Sequence, residues 1–177
     1  SYLEEPRGRH FGIEGLLLTP ENTNDVSKII KICSDHRVGI IPYGGGTGLV
    51  GGQILPEGAK PVILSVERMN KIRHIWPSEN IVVAEAGVIL KTIHELASSS
   101  DKIFPLSLAS EGSARIGGNL ATNAGGVNVV KYGNMRDLCL GVEVVLPDGK
   151  VFHGLSRLRK ITLGMILKIC LLGQRGH

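Results

Sequence analysis

Pro42-Tyr43-Gly44-Gly45-Gly46-Thr47-Gly48 follows directly on the apolar run Val38-Gly39-Ile40-Ile41. Four glycines in the five positions from 44 to 48 constrain this chain more than any other feature. Glycine takes φ > 0 readily, so successive N–H groups of such a loop can point into one concavity, a nest for anionic oxygen. A phosphate or pyrophosphate is the natural guest. The competing reading is a tight surface turn, which needs one or two glycines rather than this many. The chain as a whole holds 24 glycines in 177 residues, about twice the usual share of ~7%. It has no G-X-Y period, which excludes collagen, so the excess serves turns or close approach to a ligand.

The loop contains a decoy. Gly46-Thr47-Gly48-Leu49-Val50-Gly51 matches G-x-G-x-x-G, and Glu67 follows after a strand, as a dinucleotide-binding Rossmann unit requires. That unit also needs a helix whose N-terminus holds the pyrophosphate. Gly51-Gly52-Gln53-Ile54-Leu55-Pro56-Glu57-Gly58 denies one, having glycines and a proline where the helix would start. Phosphates held by loop amides alone remain.

Around the loop the pattern mixes strand and helix. Leu16-Leu17-Leu18 reads as a short buried strand. Thr23 is placed to cap a helix whose Val26, Ile29, Ile30 and Cys33 form one stripe, with His36-Arg37 closing its last turn. With Val38 to Ile41 this makes a β-α-β unit of parallel strands. Val62-Ile63-Leu64 and Ile81-Val82-Val83-Ala84 read as strands, and Val88 to Ala97 as a helix. Leu140 to Leu146 and Val151-Phe152 flank Pro147-Asp148-Gly149 as a hairpin.

Composition removes several classes. No 18-residue apolar run exists, so no membrane span is expected. The start, Ser1-Tyr2-Leu3-Glu4-Glu5, has neither basic nor apolar signal region. The net charge is +4, but Lys168 and Arg175 stand in residues 161–177 without any acid, and the remainder is close to balanced. With no basic-aromatic interleaving, nucleic acid is not an expected partner. Cys33, Cys139 and Cys170 are scattered and odd in number, which points to a reduced, cytoplasmic protein. The six histidines show no metal-binding spacing.

A second cluster, Ser113-Ala114-Arg115-Ile116-Gly117-Gly118-Asn119-Leu120-Ala121-Thr122-Asn123-Ala124-Gly125-Gly126, mixes small residues with amides and hydroxyls. A flat ring can lie against such backbone while Ser, Thr and Asn bond its edge. The alternative is a small-residue packing helix. Two such segments together favour one large shared cofactor.

I-P-Y-G-G-G-T-G-L-V-G-G, E-A-G-V, F-P-L-S-L-A-S-E-G-S-A-R-I-G-G-N-L-A-T-N-A-G-G, Y-G-N-M-R-D and G-V-E-V-V-L-P-D-G occur in this order. They resemble the FAD-linked oxidase family, which contains the D-lactate, glycolate and D-2-hydroxyglutarate dehydrogenases. The likeness runs from about residue 6 to residue 160. It implies an α+β fold, the FAD-binding domain of the p-cresol methylhydroxylase type. Its small β-α-β subdomain is followed by a larger antiparallel sheet with helices, with FAD between the two. By position, Gly44, Gly45, Gly46, Thr47 and Gly48 would cradle the pyrophosphate, with Gly52 and Gln53 beside it. Pro105, Leu106, Ser113, Gly118, Asn119, Asn123 and Gly125 would line the flavin. Some relatives tether FAD through a histidine near the first loop. Here Tyr43 precedes the glycines and the nearest histidine along the chain is His36, so the expected FAD is non-covalent.

The resemblance breaks after Arg159-Lys160, where the family runs on like D-N-T-G-Y-D-L-K-x-L-F-I-G-S-E-G-T. Codons built from the third base of each codon and the first two of the next permit that pattern across residues 161–177. Met165-Ile166 forces its aspartate, since ATG-AT contains GAT. The expectation is residues 1–160 as an FAD-binding domain incomplete at both ends, then 161–177 as an aberrant tail read out of frame, with no substrate domain. A divergent but genuine terminus is the alternative. The implied function is the FAD-binding portion of a dehydrogenase for a small D-2-hydroxy acid, whose substrate is handled only by the full-length parent. Two alternatives are an inert remnant and another oxidoreductase on the same fold.

Overall fold

The structure is a computed structural model and describes residues 2–156. The expected tail, 161–177, lies outside the described residues. Strand β1 (Leu16–Leu18), helix α1 (Thr23–Asp35), strand β2 (Ile40–Tyr43) and strand β3 (Val62–Ser65) build a parallel sheet of order β1-β3-β2. Leu16 pairs with Val62 on one side, and Ile40 with Val62 on the other. The β-α-β unit is therefore present, but its two strands do not touch: β3 lies between them. All four β3 residues are buried, the mark of a central parallel strand covered on both faces. β1 is not the buried strand that its leucines suggest. It is an edge, with Leu16 62% and Leu17 40% exposed.

Helix α1 begins one residue earlier than Thr23 suggests as a cap. Asn22 caps it, its Oδ1 accepting from Asp25 N–H at 3.0 Å. The Thr23 hydroxyl is engaged elsewhere, donating to Glu143 at 2.7 Å and accepting from Arg73 at 3.2 Å. The helix stops at Asp35, so His36 and Arg37 lie past its last turn. His36 is the C-cap and Arg37, at φ 54°, turns the chain away. The stripe from Val26 to Cys33 does face inward, with Cys33 buried.

Strand β4 (Ile72–Trp76), absent from the sequence reading, pairs antiparallel with β5 (Ile81–Ala84). A single 3-10 turn (Pro77–Glu79) and Asn80 at φ 57° connect them. Helix α2 (Leu90–Ser98) buries Leu90 and Ile93. Short helices α3 (Ile116–Ala121), α4 (Val129–Tyr132) and α5 (Met135–Leu138) follow. Val88, Leu90, Ile93, Leu106, Ile116 and Met135 form the core that holds them. Strands β6 (Val142–Val145) and β7 (Val151–Gly154) make the expected hairpin. Its turn closes with Gly149 N–H on the Leu146 carbonyl at 2.8 Å, Gly149 taking φ +82°. The larger antiparallel sheet is thus present among the described residues as two separate pairs, β4-β5 and β6-β7.

Arg73 ties these parts together. Its guanidinium meets Glu143 at 2.9 Å and the buried Glu85 at 3.3 Å, besides Thr23 of α1. Glu143 also meets His153 of β7 at 3.2 Å. The Thr23 hydroxyl and the Arg73 guanidinium hold the Glu143 carboxyl below the usual carboxylate range, against the opposing effect of partial burial.

Candidate cofactor-binding site

The chain leaves β2 at Tyr43 and runs from residue 44 to residue 61 without a helix. That geometry rejects the Rossmann arrangement, as the glycines and proline after Gly48 predict. Gly46 and Gly51 take φ +69° and +71°, conformations that L side chains rarely adopt. A Cβ on Gly46 would collide with the Tyr43 hydroxyl. Gln53 braces the loop from within, its Nε2 donating to the Gly46 carbonyl at 3.1 Å. Thr47 is half-buried, and Gly52 is exposed with open space where a Cβ would sit.

The second glycine segment is held in place by backbone pairing with residues 86–90. Leu90 N–H donates to Ala114 O at 2.9 Å, Ile116 N–H to Val88 O at 2.9 Å, and Gly117 N–H to Ala86 O at 2.8 Å. A Cβ on Gly117 would stand 2.8 Å from that of Ala86, so only glycine allows the pairing. Ile116–Ala121 is a short helix, which is the packing alternative to an open ring platform. Its Gly118 faces Gly44, whose Cβ would lie 3.6 Å from the Gly118 Cα. Gly45 faces Ser113, and a Cβ there would run into the Ser113 carbonyl. Residues about 70 positions apart are thereby brought together: Gly44 with Gly118 and Gly45 with Ser113.

Asn119 is 5% exposed, and its Nδ2 is a buried donor with no protein partner. Such an orphan costs about 1–3 kcal/mol unless something accepts from it, so Asn119 marks a place for an acceptor. Asn123, at φ 49°, takes up the turn after α3 and accepts from Arg136 N–H at 2.9 Å. Gly125 lies against Asn134. Leu106 has its side chain in the core, so only its backbone can face a ligand, and His94 Nε2 already lies 2.8 Å from its carbonyl. Pro105 O accepts from Asn128 at 3.2 Å.

The N-terminal segment is a part of the site that sequence reasoning missed. The Tyr2 ring packs on Tyr43 at 4.6 Å, and its hydroxyl donates to Glu67 at 2.7 Å. Burial foremost, with Glu67 adding to it, raises the pKa of both phenols, so they stay neutral hydroxyls. His10 stands beside Gly51, where a Cβ would be 3.5 Å from its ring. Along the chain His36 is the nearest histidine; in space it is His10 that borders the loop. No periodicity signals this contact, because it joins an irregular segment to a loop.

Cavities adjoin the second glycine segment at Ile116, Gly117 and Leu120, and lie beyond it. One of about 320 Å³ surrounds Arg73, Glu85 and Glu143, and one of about 250 Å³ is lined by Ile81, Ile93, Leu96 and Phe104. The glycines at 44–48 are half-buried. Among the described residues no group of three or more His, Cys, Asp or Glu could hold a metal ion, and no helix is long and apolar enough to cross a membrane.

Comparison with known proteins gives a consistent result. A family model described as FAD binding domain matches residues 15–154. The chain is 36% identical over 176 residues to the D-2-hydroxyglutarate–pyruvate transhydrogenase of Saccharomyces cerevisiae, covering 99% of this chain and 35% of that one. It is 39% identical over 168 residues to the mitochondrial D-2-hydroxyglutarate dehydrogenase of Arabidopsis thaliana, covering 95% and 30%. The chain spans about a third of the length of these relatives. Among solved structures it resembles alkyldihydroxyacetonephosphate synthase, with TM-score 0.79, 24% identity, and coverage of 96% and 29%. The 6-hydroxy-D-nicotine oxidase from Arthrobacter nicotinovorans gives TM-score 0.69 at 22% identity, covering 85% and 32%. These two likenesses establish the fold.

Proposed function

We propose a function from one premise: the chain belongs to the FAD binding domain family. It is the FAD-binding portion of a flavin-dependent oxidoreductase of the D-2-hydroxyglutarate and D-lactate dehydrogenase type, and the parent protein's substrate is a small D-2-hydroxy acid. The juxtaposition of the two glycine segments, Gly44 on Gly118 and Gly45 on Ser113, carries this reading. The residues present fit the group. At Gly44, Gly45, Gly46 and Gly48 the loop backbone lies close against Gly118, Ser113, Tyr43 and Gln53, where a side chain would intrude, Thr47 and Gly52 complete the loop, and Asn119 offers an unpartnered donor. Ser113, Gly118, Asn123 and Gly125, with the backbone of Pro105 and Leu106, would line the flavin.

FAD supplies acceptance of hydride from the substrate α-carbon and passage of the electrons to an acceptor. This chain's own residues bind and orient. The glycine amides would meet the pyrophosphate charge, and the close approach of the two segments would hold both binding stretches in one place. The expected FAD is non-covalent. A reducing compartment fits the buried thiols Cys33 and Cys139, and relatives named as mitochondrial make that organelle fit as well as the cytoplasm.

Titration of the purified chain with FAD, followed by flavin fluorescence, tests the reading. One equivalent should bind, and denaturation in detergent should release all of it. Failure to bind FAD would leave the inert-remnant reading standing. Fluorescence remaining with the denatured chain would show a covalent tether.

A further inference from the structure

The turn from Glu5 to His10 stands against the glycine loop and is built with care. Glu5 is only 1% exposed, and its carboxylate accepts from Arg7 N–H at 2.9 Å and Arg9 N–H at 2.7 Å. Gly8, at φ +63°, donates to the Glu5 carbonyl at 2.9 Å. The donated N–H groups hold the Glu5 carboxyl below its usual range. Glu5 is therefore the hub of the turn, while Arg7, Arg9 and His10 are exposed at its rim. The whole segment runs along the loop. Tyr2 packs on Tyr43, His10 borders Gly51, and Ile13 N–H donates to Leu55 O at 2.8 Å.

The loop itself, residues 42–53, contains no Lys or Arg. In the second segment, Arg115 is turned inward, its Nη1 donating to Gly87 O at 2.6 Å. The first glycine segment therefore offers amide dipoles without a cation, and the one guanidinium of the second segment is bonded to the Gly87 carbonyl. We propose that Arg7 and Arg9, held in place by Glu5, supply the positive charge for the cofactor's pyrophosphate. This rests on the FAD reading and deepens it. The formal charge of residues 4–9 balances, so placement decides the effect: the Glu5 carboxylate is buried at the hub, whereas Arg7 and Arg9 are exposed. Charges at such exposed positions act over a Debye length of about 10 Å at 0.1 M salt, which makes the contribution salt-dependent.

The test compares FAD with riboflavin, which lacks the phosphates, at low and high ionic strength. Arg7→Gln/Arg9→Gln leaves the backbone N–H groups that bond Glu5, so the fold is retained, and circular dichroism checks this. Lys28→Gln/Lys31→Gln, on the exposed face of α1, is the control of equal charge loss. The expected result is FAD affinity about tenfold weaker at low salt in the arginine variant, with a flattened salt dependence. Riboflavin binding should not change, the control should bind FAD as the parent chain does, and Arg7→Lys/Arg9→Lys should restore most of the loss. Unchanged FAD affinity in the arginine variant, or an equal loss in the control, overturns the inference and leaves the FAD reading intact. Failure of the unaltered chain to bind FAD overturns both.

Discussion

Gly45 and Gly52 belong to one loop but meet different surroundings. Gly45 leaves no room between the loop and the Ser113 carbonyl, whereas Gly52 faces open space. Gly45→Ala should push the two glycine segments apart, weakening FAD at least tenfold and lowering stability by about 2 kcal/mol. Gly52→Ala should change stability by under about 0.5 kcal/mol. Calorimetry on both variants, with and without FAD, checks the contrast; equal effects would remove the steric account. Glu143 gives a prediction in pH. Its folded pKa is depressed, so its contribution is present above the ordinary glutamate range and is lost as pH falls through the folded value. Melting temperature should drop as pH falls below about 4, and the drop should be shallower in Glu143→Gln, itself less stable at neutral pH. A parallel pH profile in that variant would show that the Thr23-Arg73-Glu143 contacts do not carry the effect.

At the scale of elements, α1 shows how a cap is chosen. Asn22 and Thr23 are both good capping types, and the chain gives each a different task. Asn22→Ala should cost about 1 kcal/mol in chemical denaturation, with the slope against denaturant unchanged. A cost near zero would mean that α1 is held by its packing alone. The sequence showed α1, β2, β3, β5 and the hairpin because each carries an unbroken apolar period or an Asp-Gly turn. β4 was hidden because Arg73 and His74 interrupt its apolar run, and Arg73 is there to meet Glu85 and Glu143. α3 stood only as the alternative reading of its segment because Gly117 and Gly118 are poor helix formers; they allow close approach to Ala86 and Gly44. The positive φ of Gly46 and Gly51 was legible in the clustering of glycines directly after a strand. The strap of residues 2–13 was not, since its contacts follow from tertiary placement.

At the scale of the whole molecule, Arg73 joins α1, β4 and β6, and β3 joins β1 and β2. The second junction bears on how the chain is made. Strands β1 and β2 are complete once residue 43 has been synthesised, yet neither has a ladder partner before residues 62–65 appear. Until then the nascent chain carries the exposed leucines of β1, an amphipathic α1 and the glycine loop, with no sheet to fix them. Its first domain-forming step thus waits for a strand that arrives about 20 residues late, a delay of roughly one to four seconds at ordinary elongation rates. Ribosome-bound chains arrested with residue 60 just outside the exit tunnel should be cut readily by protease between residues 16 and 43. Chains arrested with residue 100 outside should resist. Equal resistance at both lengths would mean that α1 and its flanking strands condense without β3. The glycine cradle would then acquire its shape only after its supporting strand, which makes cofactor capture a late event in the life of the polypeptide.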